Sequence, residues 1–373
     1  MASNGRRLRS GYTTGACAAA AAKAAVLLLL HPENRNAKEA TVEIPFPDGS
    51  RVTFKAHLHG VTRGPSGPAA LASVIKDGGD DPDVTNGAEI MVSARIMGAD
   101  EGDRDVIIIR GGRGVGRVTK AGLSVSVGEP AITPVPKGMI RQAVQEALSG
   151  DGGSSENRGI EITVSVPKGE DLAKKTLNAR LGILGGISIL GTSGIVRPLS
   201  SEAWTSTITA SLDVAQALGI AEVVLSVGRV SERAHMKRYA FREEAYVMMG
   251  DYVEFSLTDA RRHRFKRVHV SAQWAKMLKI SMSMPQTHAR HAPLDARKGA
   301  EHLNRLGIDI PRDRDFNTAR ELYDYLVATH GDSATVFREI CVAARRYAEV
   351  ITGGIPVTAH LVSYEGVILV HSE

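Results

Sequence analysis

The stretch Ala221-Glu-Val-Val-Leu-Ser-Val-Gly-Arg229 decides the fold. An aliphatic run over 221–227 stops at a glycine and gives way to residues 231–239, whose spacing predicts a helix. The alternation repeats downstream, with strands at 245–249 and 268–271 and helices over 252–261 and 273–281. Upstream, 187–190 is expected to be a short strand and 202–218 a helix. Strands alternating with helices predict a parallel sheet covered on both faces. The C-terminal part is therefore expected to be α/β, Rossmann-like and mainly parallel. Helices near 296–306, 318–329 and 334–351 and closing strands within 357–370 complete it.

The N-terminal part has another rhythm. Thr13, Thr14 and Gly15 precede an Ala-rich helix over 16–30 that ends before Pro32. Strands are expected at 41–44 and 51–57, joined by a Pro47-Asp48-Gly49 turn, and again at 89–96, 105–109 and 160–166. Residues 69–76 read as a short helix before an acidic loop, 77–83, and 138–148 as a second long helix. Hairpins mixed with helices make this half α+β. The boundary falls within 172–186, giving domains 1–175 and 176–373.

Composition bounds the answer from outside. The 373 residues carry a formal charge of +5, with 43% hydrophobic and 23% charged residues, which excludes bulk disorder and fibrous architectures. Two cysteines, Cys17 and Cys341, permit no disulfide framework and suit a reducing, cytoplasmic setting. Arg6-Arg7 ahead of the apolar run imitates an export signal. However, Lys23 interrupts that run, and His31-Pro32-Glu33 follows without a small-residue cleavage site, so a buried helix is expected instead. No run reaches the roughly 20 apolar residues needed to span a bilayer. Glycine is abundant, at 38 residues, and that excess points to tight turns and close backbone approaches.

Three segments can carry chemistry. Thr13, Thr14 and Gly15, beside Arg9, form either a helix cap or an anion-binding helix mouth. The loop Gly111-Gly-Arg113-Gly-Val-Gly-Arg117-Val-Thr-Lys120 lacks the dinucleotide and Walker spacings. It is either a glycine-rich hairpin with solvated charges or a basic loop for anions. In the third, the apolar 187–190 runs into Gly191-Thr192-Ser193-Gly194, flanked by Arg180 and Arg197. Glycines and hydroxyls at a strand end suit a nucleotide-like ligand, and the arginines suit carboxylates. Gly228, Gly250 and Asp251 are expected on the same sheet edge. Asp251 would accept from ribose hydroxyls or cap the helix that follows. His57 with His59, and His288 with His291 and Asp295, are weak metal patterns, and no metal site is assigned.

Four motifs then carry a resemblance. Gly11-Tyr-Thr-Thr-Gly-Ala-Cys-Ala, Gly79-Asp-Asp-Pro-Asp-Val-Thr, Gly128-Glu-Pro-Ala-Ile-Thr-Pro-Val-Pro and the segment through Gly191-Thr-Ser-Gly-Ile-Val-Arg-Pro occur in the order seen in the CbiD family. The chain resembles these cobalt-precorrin-5B C(1)-methyltransferases of cobalamin biosynthesis from about Leu8 to Asp295. It departs from them at Thr85-Asn86-Gly87, where the family usually has Thr-His-Gly. It departs again at Ser271-Ala-Gln-Trp-Ala-Lys276-Met277, which keeps a lysine but lacks two glycines. Thr287-His288 keeps the family's Thr-His pair.

The resemblance implies methyl transfer from S-adenosylmethionine to C-1 of a corrinoid that bears several carboxylates. Joined to the loop and strand-end readings above, it leads to the expectation of the cofactor at Gly191–Gly194, Gly228, Gly250 and Asp251, and of the macrocycle in a cleft to which the first domain contributes. Arg9, Thr13, Thr14, Gly15, Lys120, Arg180 and Arg197 would receive its carboxylates. His288 and Asp251 are the candidate catalytic groups. Neither nucleic acid nor membrane is an expected partner, and a homo-oligomer is allowed. Rival classes are a nucleic-acid-binding α/β protein and a phosphotransferase using the glycine loops.

Overall fold

Alanine dominates α1 (Thr14–Leu30), and Ala16–Ala22 are buried without exception. A helix apolar all round must be covered all round, and the cover here is a sheet together with a second helix, α2 (Pro134–Ser149). The computed structural model describes residues 8–64, 67–98, 106–149, 159–198, 201–288 and 293–373. The chain divides into two compact units, Met1–Ser200 and Ser201–Glu373.

Unit 1 opens with β1 (Gly11–Tyr12), and its main sheet uses β2 (Glu39–Pro45), β3 (Arg51–Gly64), β4 (Gly67–Ile75), β5 (Glu89–Ile96), β6 (Ile107–Gly111) and β9 (Ile160–Ser165). The order is β2-β3-β4-β5-β9-β6, antiparallel except between β6 and β9. Residues 69–76 are thus not a helix but part of β4. Pairing with β3 and β5 overrides alanine's helix preference, and the small Ala70 and Ala72 are buried where α1 packs on the strand. The prolines of α2 sit in its first turn, where a missing N–H costs nothing, so this helix begins earlier than its periodicity suggests.

Short ribbons complete the unit. β7 (Gly114–Val115) pairs parallel with β11 (Gly186–Ile187). β8 (Arg117–Val118) pairs antiparallel with β10 (Ile183–Leu184), and β1 with β12 (Ile195–Val196). A one-turn α3 (Gly169–Ala173) lies between β9 and β10. Because residues 183–196 pair with this unit, the division falls at Ser200/Ser201 rather than after residue 175.

Unit 2 alternates α4 (Ser201–Ala217), β13 (Glu222–Ser226), α5 (Arg229–Arg238), β14 (Tyr246–Met248), α6 (Val253–Arg262), β15 (Arg267–Gln273) and α7 (Trp274–Ser281). α8 (Ala296–Arg305), α9 (Ala319–Thr329), α10 (Ser333–Ile351), β16 (Val357–Val362) and β17 (Ile368–His371) follow. The sheet order is β14-β13-β15-β16-β17, parallel except for β17, so the chain as a whole is mixed α/β. Val223, Leu225, Val268, Val270, Val357 and Ala359 join side chains of α4, α6, α7 and α10 in one apolar core. Alternate residues of the same strands are polar, among them Ser226, His269, Ser271, Thr358 and His360, and α5 packs against all five strands. Both cysteines are buried and free, and burial pushes each thiol up to about 12.

Candidate functional site

In unit 1 the four sequence motifs meet at the N-terminus of α1. Thr13 Oγ1 accepts from the Ala16 amide at 3.2 Å, and Gly15 N–H donates to the Leu190 carbonyl at 3.1 Å. Thr13 N–H donates to Gly194 O at 2.9 Å, and Leu190 N–H to Thr14 Oγ1 at 2.9 Å. The 128–136 motif joins through Thr133 N–H on Ile189 O at 3.0 Å and Ile189 N–H on Ala131 O at 2.8 Å. Tyr12 N–H reaches Asp77 O at 2.7 Å, which adds the acidic loop. Thr13 and Thr14 are buried. Of the two alternatives for this turn, the helix cap is what the structure contains.

The same geometry accounts for two glycines assigned to a cofactor. A Cβ on Gly191 would lie 2.5 Å from Thr13 Cβ, and one on Gly194, at φ +83°, would lie 2.7 Å from the Phe46 ring. Both positions are filled by the protein itself. Thr192 and Ser193 between them are exposed. Nor does this loop share a sheet edge with Gly228 and Gly250, as the sequence suggested. Its lead-in strand is only Gly186–Ile187, paired with β7 in unit 1.

Four cationic side chains fall into two groups within unit 1. Lys120 Nζ donates to the Arg180 carbonyl at 2.8 Å, because Thr119 and Gly182 tie the two loops together at 2.7 Å. Arg9 and Arg197 adjoin the β1–β12 ribbon, where Gly11 pairs with Val196. Arg9 forms a two-pronged ion pair with Asp77, whereas Arg197 is exposed and has no ion-pair partner among the described residues.

In unit 2, Gly228, Gly250, Asp251 and Lys276 all follow the C-terminal ends of parallel strands β13, β14 and β15. Asp251 is not a helix cap, since Tyr252 occupies that position without any side-chain bond. Its Oδ1 instead takes an ion pair from Lys276 Nζ and a 2.7 Å hydrogen bond from Thr287 Oγ1. Thr287 N–H closes the loop on Asp251 O at 3.1 Å, while Lys276 and Lys279 Nζ donate to Thr287 O at 2.8 and 2.9 Å. Burial would raise the Asp251 pKa, but the bonds from Lys276 and Thr287 outweigh it and hold the carboxyl below its usual range. Burial, then the neighbouring Lys276 charge, lowers the Lys279 ammonium.

A Cβ on Gly250 would meet the Trp204 indole at 2.8 Å, whereas nothing lies within 4 Å of one on Gly228. An open hollow of about 480 Å3 is lined by Tyr252, Glu254, Phe255, Thr258, Arg262, Pro285 and Gln286; neither Asp251 nor Lys276 lines it. His288 is half-buried near enough to help lower the Asp251 pKa, and His291 lies outside the described residues.

Sequence reasoning missed Lys276, Lys279 and Thr287 as a group, although the retained lysine and the Thr-His pair were its signals. It also assigned no metal site. His57 and His59 do not converge: His57 faces Glu39, and His59 bonds Ser73 at 2.8 Å. Among the described residues, however, His235, His269 and His360 bring ring nitrogens within 4.8 Å of one another.

Comparison with known proteins places the chain in a family. The CbiD family model matches residues 1–198. A cobalt-precorrin-5B C(1)-methyltransferase of Desulfotalea psychrophila is 49% identical over 93% of this chain and 93% of its own. The protein of that name from Geobacter metallireducens is 44% identical over 98% and 99%. A crystal structure of a cobalamin biosynthesis protein (CbiD) from Archaeoglobus fulgidus is 28% identical, covers 73% of this chain and 79% of that one, and has a TM-score of 0.36. The chain belongs to the CbiD family. No helix among the described residues is long and apolar enough to cross a membrane.

Proposed function

We infer that this protein is a cobalt-precorrin-5B C(1)-methyltransferase acting in cobalamin biosynthesis. The observation that carries the inference is identity of 40–49% across at least nine tenths of the chain to methyltransferases of that name. The methyl donor is assigned as S-adenosylmethionine, whose sulfonium supplies an already activated methyl group when bound.

The donor is assigned to the strand ends of unit 2. Ligands of open α/β sheets bind beyond the carboxyl ends of strands, and here those ends carry Gly228, Gly250, Asp251 and Lys276. Lys276 and Thr287 hold Asp251 ionised and fix it through Oδ1; Oδ2 is the oxygen assigned to ribose hydroxyls. Gly228 offers backbone at the mouth of α5 with open space where a side chain would stand. A depressed pKa suits a hydrogen-bond acceptor rather than a general base, so Asp251 is given a binding role.

Substrate carboxylates are assigned to unit 1. Arg197 is the leading candidate because its guanidinium has no ion-pair partner among the described residues to give up. Lys120 and Arg180 form a second anchor, and Arg9 a third that must share itself with Asp77. Thr13, Thr14 and Gly15 support the loop 188–194 that leads to Arg197. The protein's contribution to rate is then positioning, since an in-line displacement needs the ring carbon about 3–3.5 Å from the methyl.

Calorimetric titration tests the donor assignment. S-adenosylmethionine is expected to bind one per chain, whereas ATP with Mg2+ or a single-stranded oligonucleotide is expected not to. Preference for ATP would favour a phosphotransferase, and salt-steep oligonucleotide binding a nucleic-acid protein.

A further inference from the structure

We propose that His235 of α5, His269 of β15 and His360 of β16 form a binding site for one divalent transition-metal ion of the Zn2+/Co2+ class, buried between α5 and the sheet. The three are 0%, 8% and 2% exposed, and each offers a ring nitrogen within 4.8 Å of the others. Two of the three tautomers are fixed from outside. The Tyr246 hydroxyl donates to Tyr239 O at 3.1 Å, so its oxygen accepts from His235 Nδ1–H at 3.2 Å. The lone pair of His235 therefore sits on Nε2, which is buried and has no partner among the described residues.

Glu222 accepts from His269 Nε2–H at 3.1 Å, which leaves the His269 lone pair on Nδ1. Carboxylate, histidine and metal in that order form a common arrangement, in which the acid orients the ring and raises its basicity. His269 Nδ1 lies 3.1 Å from His360 Nε2. Two imidazole nitrogens on one tetrahedral ion at about 2.0–2.1 Å stand about 3.3 Å apart, so this pair is already at ligand spacing.

Without an ion, His360 has one Nε2–H to give to two converging lone pairs, and His235 Nε2 goes unsatisfied. With one, the three converging nitrogens are satisfied, and the His360 proton moves to Nδ1, which is buried and has no partner among the described residues. Three imidazoles without thiolate favour Zn2+ or Co2+ over Mg2+ or Ca2+. The ion would pin α5, whose first residue follows Gly228, to the sheet.

The test uses the full chain, stripped with a chelator, dialysed and titrated with CoCl2 in the absence of corrinoid and methyl donor. One equivalent is expected to bind with the visible absorption of a tetrahedral nitrogen site, and ZnCl2 is expected to abolish that absorption and raise the melting temperature. His235→Ala and His360→Gln should bind at least a hundred-fold more weakly. Glu222→Gln, which removes no ligand, should bind about 10–100-fold more weakly. Circular dichroism and a cooperative melt of each variant establish that it is folded, and Glu222→Gln retains all three rings if the histidine variants are not. Failure of the folded wild type to take up either ion, or uptake of equal strength by the variants, overturns the proposal.

Discussion

Lys276 and Asp251 stand 25 residues apart in sequence, at the ends of two different strands, yet share an ion pair that Thr287 Oγ1 joins at 2.7 Å. The three groups leave the carboxylate ionised and fixed at the edge where the methyl donor is assigned. Asp251→Asn should weaken S-adenosylmethionine by the worth of a charge-assisted hydrogen bond, about 1.5–3 kcal/mol, or roughly ten- to hundred-fold. Calorimetry reads this directly. Unchanged affinity would remove Asp251 from the donor site.

Arg197 carries a separate prediction. It is exposed and engages no carboxylate among the described residues, so Arg197→Ala should leave the melting temperature unchanged. Its contact with a substrate carboxylate should be lost, raising KM by about 1.5–3 kcal/mol in free-energy terms with little change in kcat. A drop confined to kcat would place Arg197 elsewhere in the reaction.

Gly194→Ala tests the loop that closes α1. The added methyl meets the Phe46 ring at 2.7 Å while φ is +83°, so it is overpacked and strained at once. Destabilisation of about 1–3 kcal/mol is expected, read as a lower urea midpoint. Gly228→Ala meets no atom within 4 Å at an extended φ, so it should be near neutral in the same assay. It should still weaken the methyl donor, whose approach to the backbone it obstructs.

Glu146 gives the pH dependence. The bidentate Arg51 pair first, then Lys23, outweigh burial and lower its carboxyl from an ordinary 4.5 to about 2. A depressed acid stabilises the fold above its unfolded pKa, and that contribution is lost as pH falls through the folded value. Wild-type stability should therefore decline between about pH 5 and 2. Glu146→Gln should be less stable at neutral pH and show a shallower decline, as followed by melting temperature against pH.

Much of the fold was legible, and what was not has physical reasons. Parallel strands buried on both faces are apolar runs, so 221–227 and 268–271 announce themselves. Residues 69–76 do not, because alanine suits a helix as well as the face of β4 that α1 covers. The ribbons at 183–196 are two residues long and have no period to detect, which displaced both the domain boundary and the Gly191 edge. The same glycine-rich segment was read as a ligand loop, and its glycines at 191 and 194 lie against Thr13 and Phe46. The three histidines come from α5, β15 and β16 and meet only once the strand order is known.

Incubation with S-adenosylmethionine and cobalt-precorrin-5B, followed by product mass and ring absorption, tests the central claim most directly. The expected result is a corrinoid heavier by one methyl group, substituted at C-1, with one S-adenosylhomocysteine formed per methyl transferred. A corrinoid of unchanged mass in the presence of folded, donor-binding protein would contradict it.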